Sequence, residues 1–178
     1  MQTVQIFEQT FSEVITEAEI KEKIQSLAEK ITADYASKNP LFIALLNGAF
    51  MFAADLFRQI QIPAEISFVK LSSYNGLQST GNIETVIGLK ENITGRHIII
   101  LDDILDTGKT LFTFKKEMIQ KKPLSIKTVL LIDKKNKIEY DRADDYSCFE
   151  NNSGFLIGYG MDFNGHGRNL PSIYQLKE

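Results

Sequence analysis

The sequence contains few of the residues that cross-link or anchor small proteins. Cys148 is the only cysteine among 178 residues, which excludes an intrachain disulfide and a thiolate metal cluster. With two histidines, the chain also lacks a metal-ligand cluster of His and Cys. No apolar run approaches the roughly 18 residues of a membrane helix. The segment around Glu8 and Glu13 lacks the apolar region of a signal peptide. We therefore expect a cytoplasmic protein without a membrane partner.

The sequence also lacks a large excess of positive or negative charge. The formal net charge is −3, which argues against a nucleic acid as the main partner. Hydrophobic residues make up 43% of the chain, a value that suits a globular protein with a proper core. At this length, a single domain over residues 1–178 is the expected organisation.

Apolar runs alternate with helical patterns along most of the chain. Thr16-Glu17-Ala18-Glu19 forms a capping box, and apolar residues recur behind it at helical spacing up to Tyr35. Strands are predicted at 41–46, 65–71, 83–87, 98–101, 126–132 and 155–159, with further helices at 50–60 and 109–120. This alternation predicts an α/β fold with a mostly parallel sheet, whose core spans about 16–133.

A group of acidic and hydroxyl residues directly follows the strand at 98–101. Asp102, Asp103 and Asp106 come first, and the loop 107–110, Thr-Gly-Lys-Thr, then leads into a helix. Ligands of open α/β sheets bind beyond the carboxyl ends of the strands. The loop can offer backbone N–H groups, hydroxyls and a helix N-terminus to a phosphate. Asp102 and Asp103 suit the two hydroxyls of a ribose, because carboxylates accept hydrogen bonds. The segment therefore predicts a site for a phosphorylated sugar.

Simpler explanations of this segment are less satisfactory. A helix cap or a turn needs only one carboxylate, and three carboxylates at one strand end repel one another. A Walker A loop would require glycine at Asp103, and a Rossmann fingerprint that begins at Gly158 would require glycine at Phe163. Both of these nucleotide-binding motifs are excluded.

The acidic segment resembles the phosphoribosyl-pyrophosphate-binding motif of the type I phosphoribosyltransferases. Further segments are similar to those of the hypoxanthine (6-oxopurine) phosphoribosyltransferases and occur in the same order. They are Leu45-Leu46-Asn47-Gly48-Ala49-Phe50, Ser73-Tyr74 with Gln78-Ser79-Thr80-Gly81, Asp133-Lys134, and the run from Gly154 to Phe163 with Arg168. The resemblance covers about 42–170 and implies a mostly parallel twisted sheet flanked by helices. A small hood over the sheet edge would come from the terminal segments, about 1–15 and 134–178.

The resemblance also implies a reaction. The 5-phosphoribosyl group would pass from 5-phosphoribosyl 1-pyrophosphate to hypoxanthine, and also to guanine, which gives IMP or GMP and pyrophosphate. Mg²⁺ is the implied cofactor, with Asp102, Asp103 and Asp162 as its carboxylate ligands beside substrate oxygens. The partners would be these small molecules, and homodimers or homotetramers are usual in the family.

Catalytic and phosphate-binding roles are implied at the matching positions. Asp106 would act as general acid or base near purine N7, and Ser73 and Tyr74 would lie on a lid, 72–82, that closes over the reaction. The phosphoribosyl group would be bound by Asp102, Asp103, Asp106, Thr107, Gly108, Lys109 and Thr110. Pyrophosphate would be bound by Asn47, Gly48, Ser73, Tyr74 and Arg168. The family often has lysine at the Asn47 position and a cis peptide before it.

Purine-binding roles are implied for a second group of positions. Lys134 would donate to O6, Phe155 would stack on the ring, Leu156 would offer backbone groups, and Asp162 would lie near a second Mg²⁺ and the pyrophosphate. The residue types alone leave other interpretations open. Phe155 also suits a plain core position, Asn47 an ordinary Asn-Gly turn, and 72–82 a simple connector. The sequence assigns no role to His166.

Two rival functions remain at this stage. One is a regulator that binds the same sugar phosphate without chemistry, for which the acidic chain offers no RNA-binding face. The other is a transferase for adenine, xanthine or a pyrimidine. The sequence does not rank guanine against xanthine.

Overall fold

The computed structural model describes residues 2–73, 83–105, 108–134, 145–151 and 154–177. Its larger sheet has six strands, which are β3 (Leu41–Leu46), β4 (Glu65–Ser73), β5 (Ile83–Ile87), β6 (His97–Leu105), β7 (Ser125–Asp133) and β8 (Tyr146–Glu150). The spatial order is β5-β4-β3-β6-β7-β8, and only the pair β4 and β5 is antiparallel. The three helices described are α1 (Glu17–Asp34), α2 (Phe50–Phe57) and α3 (Lys109–Gln120). The predicted α/β fold with a mostly parallel sheet is confirmed.

The central strands are apolar throughout because the sheet is covered on both faces. On one face, Phe42, Ile99 and Val129 contact residues of α1 and α2 such as Ile24 and Phe52. On the other face, alternate residues of the same strands pack against one side of α3. This second layer includes Ile43, Ile98, Ile100, Leu111, Phe114 and Met118. The sheet thus forms a rigid base from which the loops at its carboxyl ends project.

The predicted elements agree with the observed ones except at some ends. The helix predicted at 109–120 is found at those bounds, whereas α2 ends at Phe57 instead of residue 60. Strand β6 continues to Leu105, because its backbone keeps pairing with β7 beyond residue 101. The first two acidic residues therefore lie on a strand, whereas the sequence predicted a turn.

The terminal segments form a second, antiparallel sheet. Its strands are β1 (Thr3–Ile6), β2 (Gln9–Ile15), β9 (Leu156–Ile157) and β10 (Ile173–Leu176), in the order β1-β2-β10-β9. Phe11, Ile157 and Tyr174 form its small buried core. This sheet corresponds to the hood. One part of the range predicted for the hood belongs elsewhere, since β8 pairs with β7 in the larger sheet.

Strand β9 is shorter than the strand predicted at 155–159. Gly158, Tyr159 and Gly160 all adopt positive φ angles, of 95°, 47° and 101°, and this turn ends the strand.

The capping box at the start of α1 gives a stability prediction. The Glu19 backbone N–H donates to Thr16 Oγ1 at 3.3 Å, and the Thr16 N–H donates to Glu19 Oε2 at 2.8 Å. Thr16→Ala should lower the free energy of unfolding by about 0.5–2 kcal/mol, because a helix-end donor loses its partner. Thr16→Ser keeps the hydroxyl and should retain most of the stability. Urea denaturation of the three proteins measures the effect, and equal midpoints would contradict it.

Candidate active site

The site lies where the carboxyl ends of the central strands meet the hood. The loop after β3 contains Asn47 and Gly48, β6 ends with the acidic pair, and β7 leads into Lys134. The segment 154–168 of the hood passes over these ends. Parallel strands bring their carboxyl ends to one edge, which is why residues far apart in sequence converge here.

Two neighbouring cavities occupy this edge. One, of about 120 Å³, is lined by Asp102, Ile104, Leu105, Gly108, Lys109, Thr110 and Leu111. The other, of about 210 Å³, is lined by Asp103, Ile104, Lys134, Phe155, Leu156, Met161 and Asp162. Ile104 lies on the wall between them. The structure thus brings four predicted phosphoribosyl residues to the first cavity, namely Asp102, Gly108, Lys109 and Thr110. The second cavity combines Asp103 with the predicted purine residues Lys134, Phe155, Leu156 and Asp162.

The acidic pair on β6 divides between the two cavities. Asp102 faces the first, and Asp103 faces the second. Burial raises the pKa of Asp102 well above its usual range, and the neighbouring Asp103 charge adds to the effect. Burial also raises the pKa of Asp103, although hydrogen bonds with Asp102 and the charge of Arg168 oppose this. A cation or hydrogen-bond donor placed beside the pair would therefore be strongly favoured.

The loop between β3 and α2 approaches Asp103 closely. A Cβ at Gly48 would overlap the Asp103 carboxylate, so only glycine allows this approach. The Leu46–Asn47 peptide is cis, as the resemblance implies. Asn47 is exposed, as an anion-binding side chain at this position would be.

The second cavity has an ammonium group and an aromatic ring in its wall. Lys134 is 5% exposed, and its Nζ donates to the carbonyl oxygen of Gly154 at 3.0 Å. Phe155 is 45% exposed, which a core aromatic would not be, and its ring meets that of Phe163 edge-on at 5.8 Å. Leu156 is buried and belongs to β9. This combination suits a flat heterocycle with an accepting carbonyl.

Arg168 and Asp162 form an ion pair at the side of this cavity. The distance from Arg168 Nη2 to Asp162 Oδ1 is 2.6 Å, and Arg168 Nη1 donates to the carbonyl oxygen of Gly160 at 2.6 Å. The other Asp162 oxygen accepts from the Gly165 N–H at 2.7 Å. Within the described ranges, no group of three His, Cys, Asp or Glu side chains forms a metal cage. The three predicted metal ligands thus do not form a preassembled cage among these residues.

Some predicted site residues lie outside the described residues, namely Asp106, Thr107 and Tyr74. Ser73 is the last residue of β4. Of the lid predicted at 72–82, only its first two residues are described, and both belong to that strand.

Sequence reasoning missed several residues of the site. Ile104 and Met161 line the second cavity, and the carbonyl of Gly154 holds the ammonium of Lys134. A Cβ at Gly160 would overlap the carbonyl oxygen of Gly48, so two glycines bring the hood onto the loop after β3. Gly158 and Gly160, which lie within the run that resembles the family, were the available signal for this contact. His166 packs against Phe7 at 4.8 Å between ring centroids, away from both cavities.

The comparisons with known proteins agree with this geometry. Residues 12–164 match the family model described as the phosphoribosyl transferase domain. The hypoxanthine-guanine-xanthine phosphoribosyltransferase of Tritrichomonas foetus is 40% identical over 161 residues, which cover 90% of this chain and 88% of that protein. The hypoxanthine-guanine phosphoribosyltransferase of Aquifex aeolicus is 37% identical, with 93% and 94% covered. The chain belongs to the hypoxanthine-guanine phosphoribosyltransferases.

A solved structure supports the same family membership. The hypoxanthine phosphoribosyltransferase of Staphylococcus aureus superposes with a TM-score of 0.89 at 33% identity, covering 93% of this chain and 91% of that one. The type I phosphoribosyltransferase fold is thereby confirmed. Among the described helices, none has the length and apolar character needed to cross a membrane.

The close approach of Gly48 to Asp103 gives a prediction for this phosphoribosyltransferase. In Gly48→Ala, the new methyl group must displace the Asp103 carboxylate or the loop. A misplacement of about 1 Å can cost up to about 10²-fold in rate, so we expect kcat/KM for the donor to fall by roughly that factor. Steady-state kinetics measures it.

Gly95→Ala is the matched control. Gly95 has a φ of 71°, but a Cβ there meets nothing within 4 Å. This variant should lose some stability and keep its activity. Equal kcat/KM values for the two variants would contradict the role of the Gly48 contact.

Proposed function

We propose that this chain binds 5-phosphoribosyl 1-pyrophosphate and a 6-oxopurine in the two cavities that meet at Asp102 and Asp103. The reaction is that of purine salvage, in which hypoxanthine becomes IMP, guanine becomes GMP, and pyrophosphate leaves. The contrast between the cavities carries this proposal. One combines a carboxylate with a helix start, and the other combines an ammonium with an exposed ring. A sugar phosphate and a flat oxygenated base match these two sets of groups.

The donor is assigned to the cavity between Asp102 and the start of α3. Gly108 precedes the helix as its N-cap residue, its φ of 83° turns the chain, and Lys109 and Thr110 follow in the first turn. Backbone N–H groups at such a helix start favour a 5-phosphate. Asp102 and Asp103 accept hydrogen bonds from the ribose hydroxyls at the other end of the same ligand. Together with Asp106 and Thr107, these residues form the proposed phosphoribosyl site.

Mg²⁺ fits the carboxylates that are present. Asp102 and Asp103 are held side by side in a half-buried position, where desolvation and mutual repulsion raise the pKa of Asp102. A divalent cation beside them would favour their ionised forms. We assign Mg²⁺ to these two residues and Asp162, with donor oxygens completing its shell. When bound, Mg²⁺ neutralises charge on the leaving pyrophosphate.

The base is assigned to the cavity of Lys134 and Phe155. The Lys134 ammonium donates to O6, and the Phe155 ring stacks on one face of the base. Leu156 and Asp162 complete the edge contacts. This arrangement directs N9 toward the ribose, because N9 lies across the ring system from O6.

Three residues are proposed to act on the reacting atoms. Asp106 takes or gives the proton at purine N7 as the glycosidic bond forms or breaks. Ser73 and Tyr74 close over the donor and exclude water from the oxocarbenium-like transition state. These assignments rest on the resemblance of the sequence motifs.

Pyrophosphate is assigned to the loop after β3 and to Arg168. Gly48 allows the loop to approach the donor closely, and Asn47 adds a neutral amide where the family often has a lysine. Arg168 supplies the positive charge, since its planar group can bind two phosphate oxygens at once. Its ion pair with Asp162 holds it beside the cavity.

The rival functions find less support. A regulator without chemistry does not require a base cavity with a buried ammonium, and the net charge of −3 does not suit an RNA partner. We further propose that the chain acts as a single cytoplasmic domain within a homodimer or homotetramer.

Discrimination between bases tests the assignment of Lys134. Hypoxanthine presents an accepting carbonyl at position 6, whereas adenine presents an amino group that would face the ammonium donor to donor. Sites built around such a contact reject the wrong analogue by about 10⁴–10⁵. We expect this ratio in kcat/KM for the wild type. Lys134→Met should lower the value for hypoxanthine far more than the value for adenine.

A control on strand β7, which leads into Lys134, separates this effect from general damage. Lys127 lies near the amino end of β7 and pairs with Asp145 at 2.5 Å. Lys127→Met should leave both kcat/KM values unchanged. Equal use of adenine and hypoxanthine by the wild type would overturn the 6-oxopurine assignment.

The assignment of Asp106 leads to a second kinetic prediction. Asp106→Asn should lower kcat by roughly 10²–10⁴, the usual contribution of a positioned acid or base. The donor should still bind, because Asp102 and Asp103 remain. Single-turnover kinetics and titration calorimetry with donor and Mg²⁺ measure the two effects separately. Turnover at the wild-type rate would refute the role of Asp106.

A further inference from the structure

The hood contacts the loop after β3, which contains Asn47 and Gly48 and is called here the pyrophosphate loop. The contact is made by a turn whose backbone packs directly against the backbone of neighbouring segments. Gly158, Tyr159 and Gly160 all have positive φ angles. A Cβ at Gly158 would overlap the carbonyl oxygen of Ser172, and a Cβ at Gly160 would overlap that of Gly48. The Gly160 carbonyl also accepts from Arg168. One turn therefore lies between the two groups proposed to bind pyrophosphate.

A single buried side chain ties this turn to α2. Tyr159 is 4% exposed, and its hydroxyl donates to Asp55 Oδ2 at 2.5 Å. Asp55 Oδ1 faces Arg58, so the two carboxylate oxygens have separate partners. Burial raises the pKa of Tyr159, and the Asp55 hydrogen bond and charge raise it further, which keeps the hydroxyl protonated as a donor.

Helix α2 connects Asp55, which accepts this hydrogen bond, to the pyrophosphate loop. It begins at Phe50, two residues after Gly48, and the Phe50 N–H donates to the Asn47 carbonyl at 3.3 Å. Asp55 lies on the same short helix, so the loop and the Asp55 carboxylate move together. The hood thus contacts the segment formed by the pyrophosphate loop and α2 at two points, the Gly48 carbonyl and Asp55.

We propose that Tyr159 is a positioning residue for pyrophosphate, which fixes Arg168 relative to Gly48 through its bond to Asp55. This inference rests on the proposed function, in which Arg168 and the loop share the leaving group. The base cavity depends less on the hydrogen bond between Tyr159 and Asp55. Lys134 is held by Gly154, and β9 is held by its pairing with β10. Loss of the bond should therefore weaken the contacts to donor and pyrophosphate selectively.

The test is Tyr159→Phe, which keeps the buried ring and removes only the hydroxyl. The KM for the donor should rise by about 2- to 30-fold, the range reported for residues that couple sites without touching the ligand. The KM for hypoxanthine should stay near its wild-type value. The Kd of inorganic pyrophosphate with Mg²⁺, measured by titration calorimetry, should rise in parallel with the donor KM.

Tyr146→Phe is the matched control. Its hydroxyl also donates to a carboxylate, Asp34 Oδ2, at 2.7 Å, but it joins β8 to the end of α1. The control should lose a similar amount of stability and keep both KM values. The inference is overturned if the two variants show the same donor KM, or if Tyr159→Phe raises both substrate KM values equally.

Substitutions at Asp55 test the pathway and remain informative if Tyr159→Phe does not fold. Asp55→Asn keeps an acceptor for the hydroxyl and should stay close to wild type, whereas Asp55→Ala should match Tyr159→Phe. The double variant that combines Tyr159→Phe with Asp55→Ala should raise the donor KM no more than either single substitution does. Additive effects on donor KM would refute action through Asp55.

Failure of the proposed function would look different. In that case the wild type would form no nucleotide from hypoxanthine. The pyrophosphate Kd would still test Tyr159, because that measurement needs no turnover. An unchanged Kd in Tyr159→Phe would overturn the positioning role.

Discussion

Asp102 and Asp103 place two like charges side by side at the end of a central strand, where burial and repulsion both disfavour ionisation. Burial raises the pKa of both carboxyls. Proteins retain such an arrangement where a ligand or cation relieves it. The surrounding structure gives such a ligand access to the pair, because the two carboxylates face neighbouring cavities.

Glycine at the contacts between segments allows this arrangement. Gly48 lies against the Asp103 carboxylate, and Gly160 lies against the carbonyl of Gly48. Any side chain at either position would separate the strand end, the loop and the hood by the width of a methyl group or more. The loop after β3 is therefore held between Asp103 of the core and Gly160 of the hood. Its position depends on both units at once, which links the proposed donor site to the packing of the hood.

The sequence predicted those features that local pattern determines. The capping box at Thr16 and the apolar run at 41–46 were sufficient to predict α1 and β3. The family resemblance pointed to Lys134 and Phe155, which line one cavity in the structure. What the sequence did not predict depends on tertiary pairing. Strand β6 continues through two aspartates because β7 pairs beside it, and propensity alone favours a turn there. Strands β1 and β10 have only four residues each, and β10 pairs with β2 from the other end of the chain. Periodicity therefore gave no signal for either strand.

In the proposed base cavity, the ammonium of Lys134 would serve both binding and discrimination. It is almost fully buried, and the Gly154 carbonyl fixes its direction at 3.0 Å. A buried ammonium is costly unless it is hydrogen-bonded, so this contact stabilises the group and would orient it for the O6 atom of the proposed base. The net gain from one more hydrogen bond is modest, because the base also gives up its water. The larger effect is the free-energy cost of binding a base that presents a donor to the ammonium. An ammonium has no lone pair, so an amino group at the same point must leave a donor unsatisfied in a site that excludes water. Under the proposed function, selection for 6-oxopurines would therefore arise mainly from the cost of binding the wrong base.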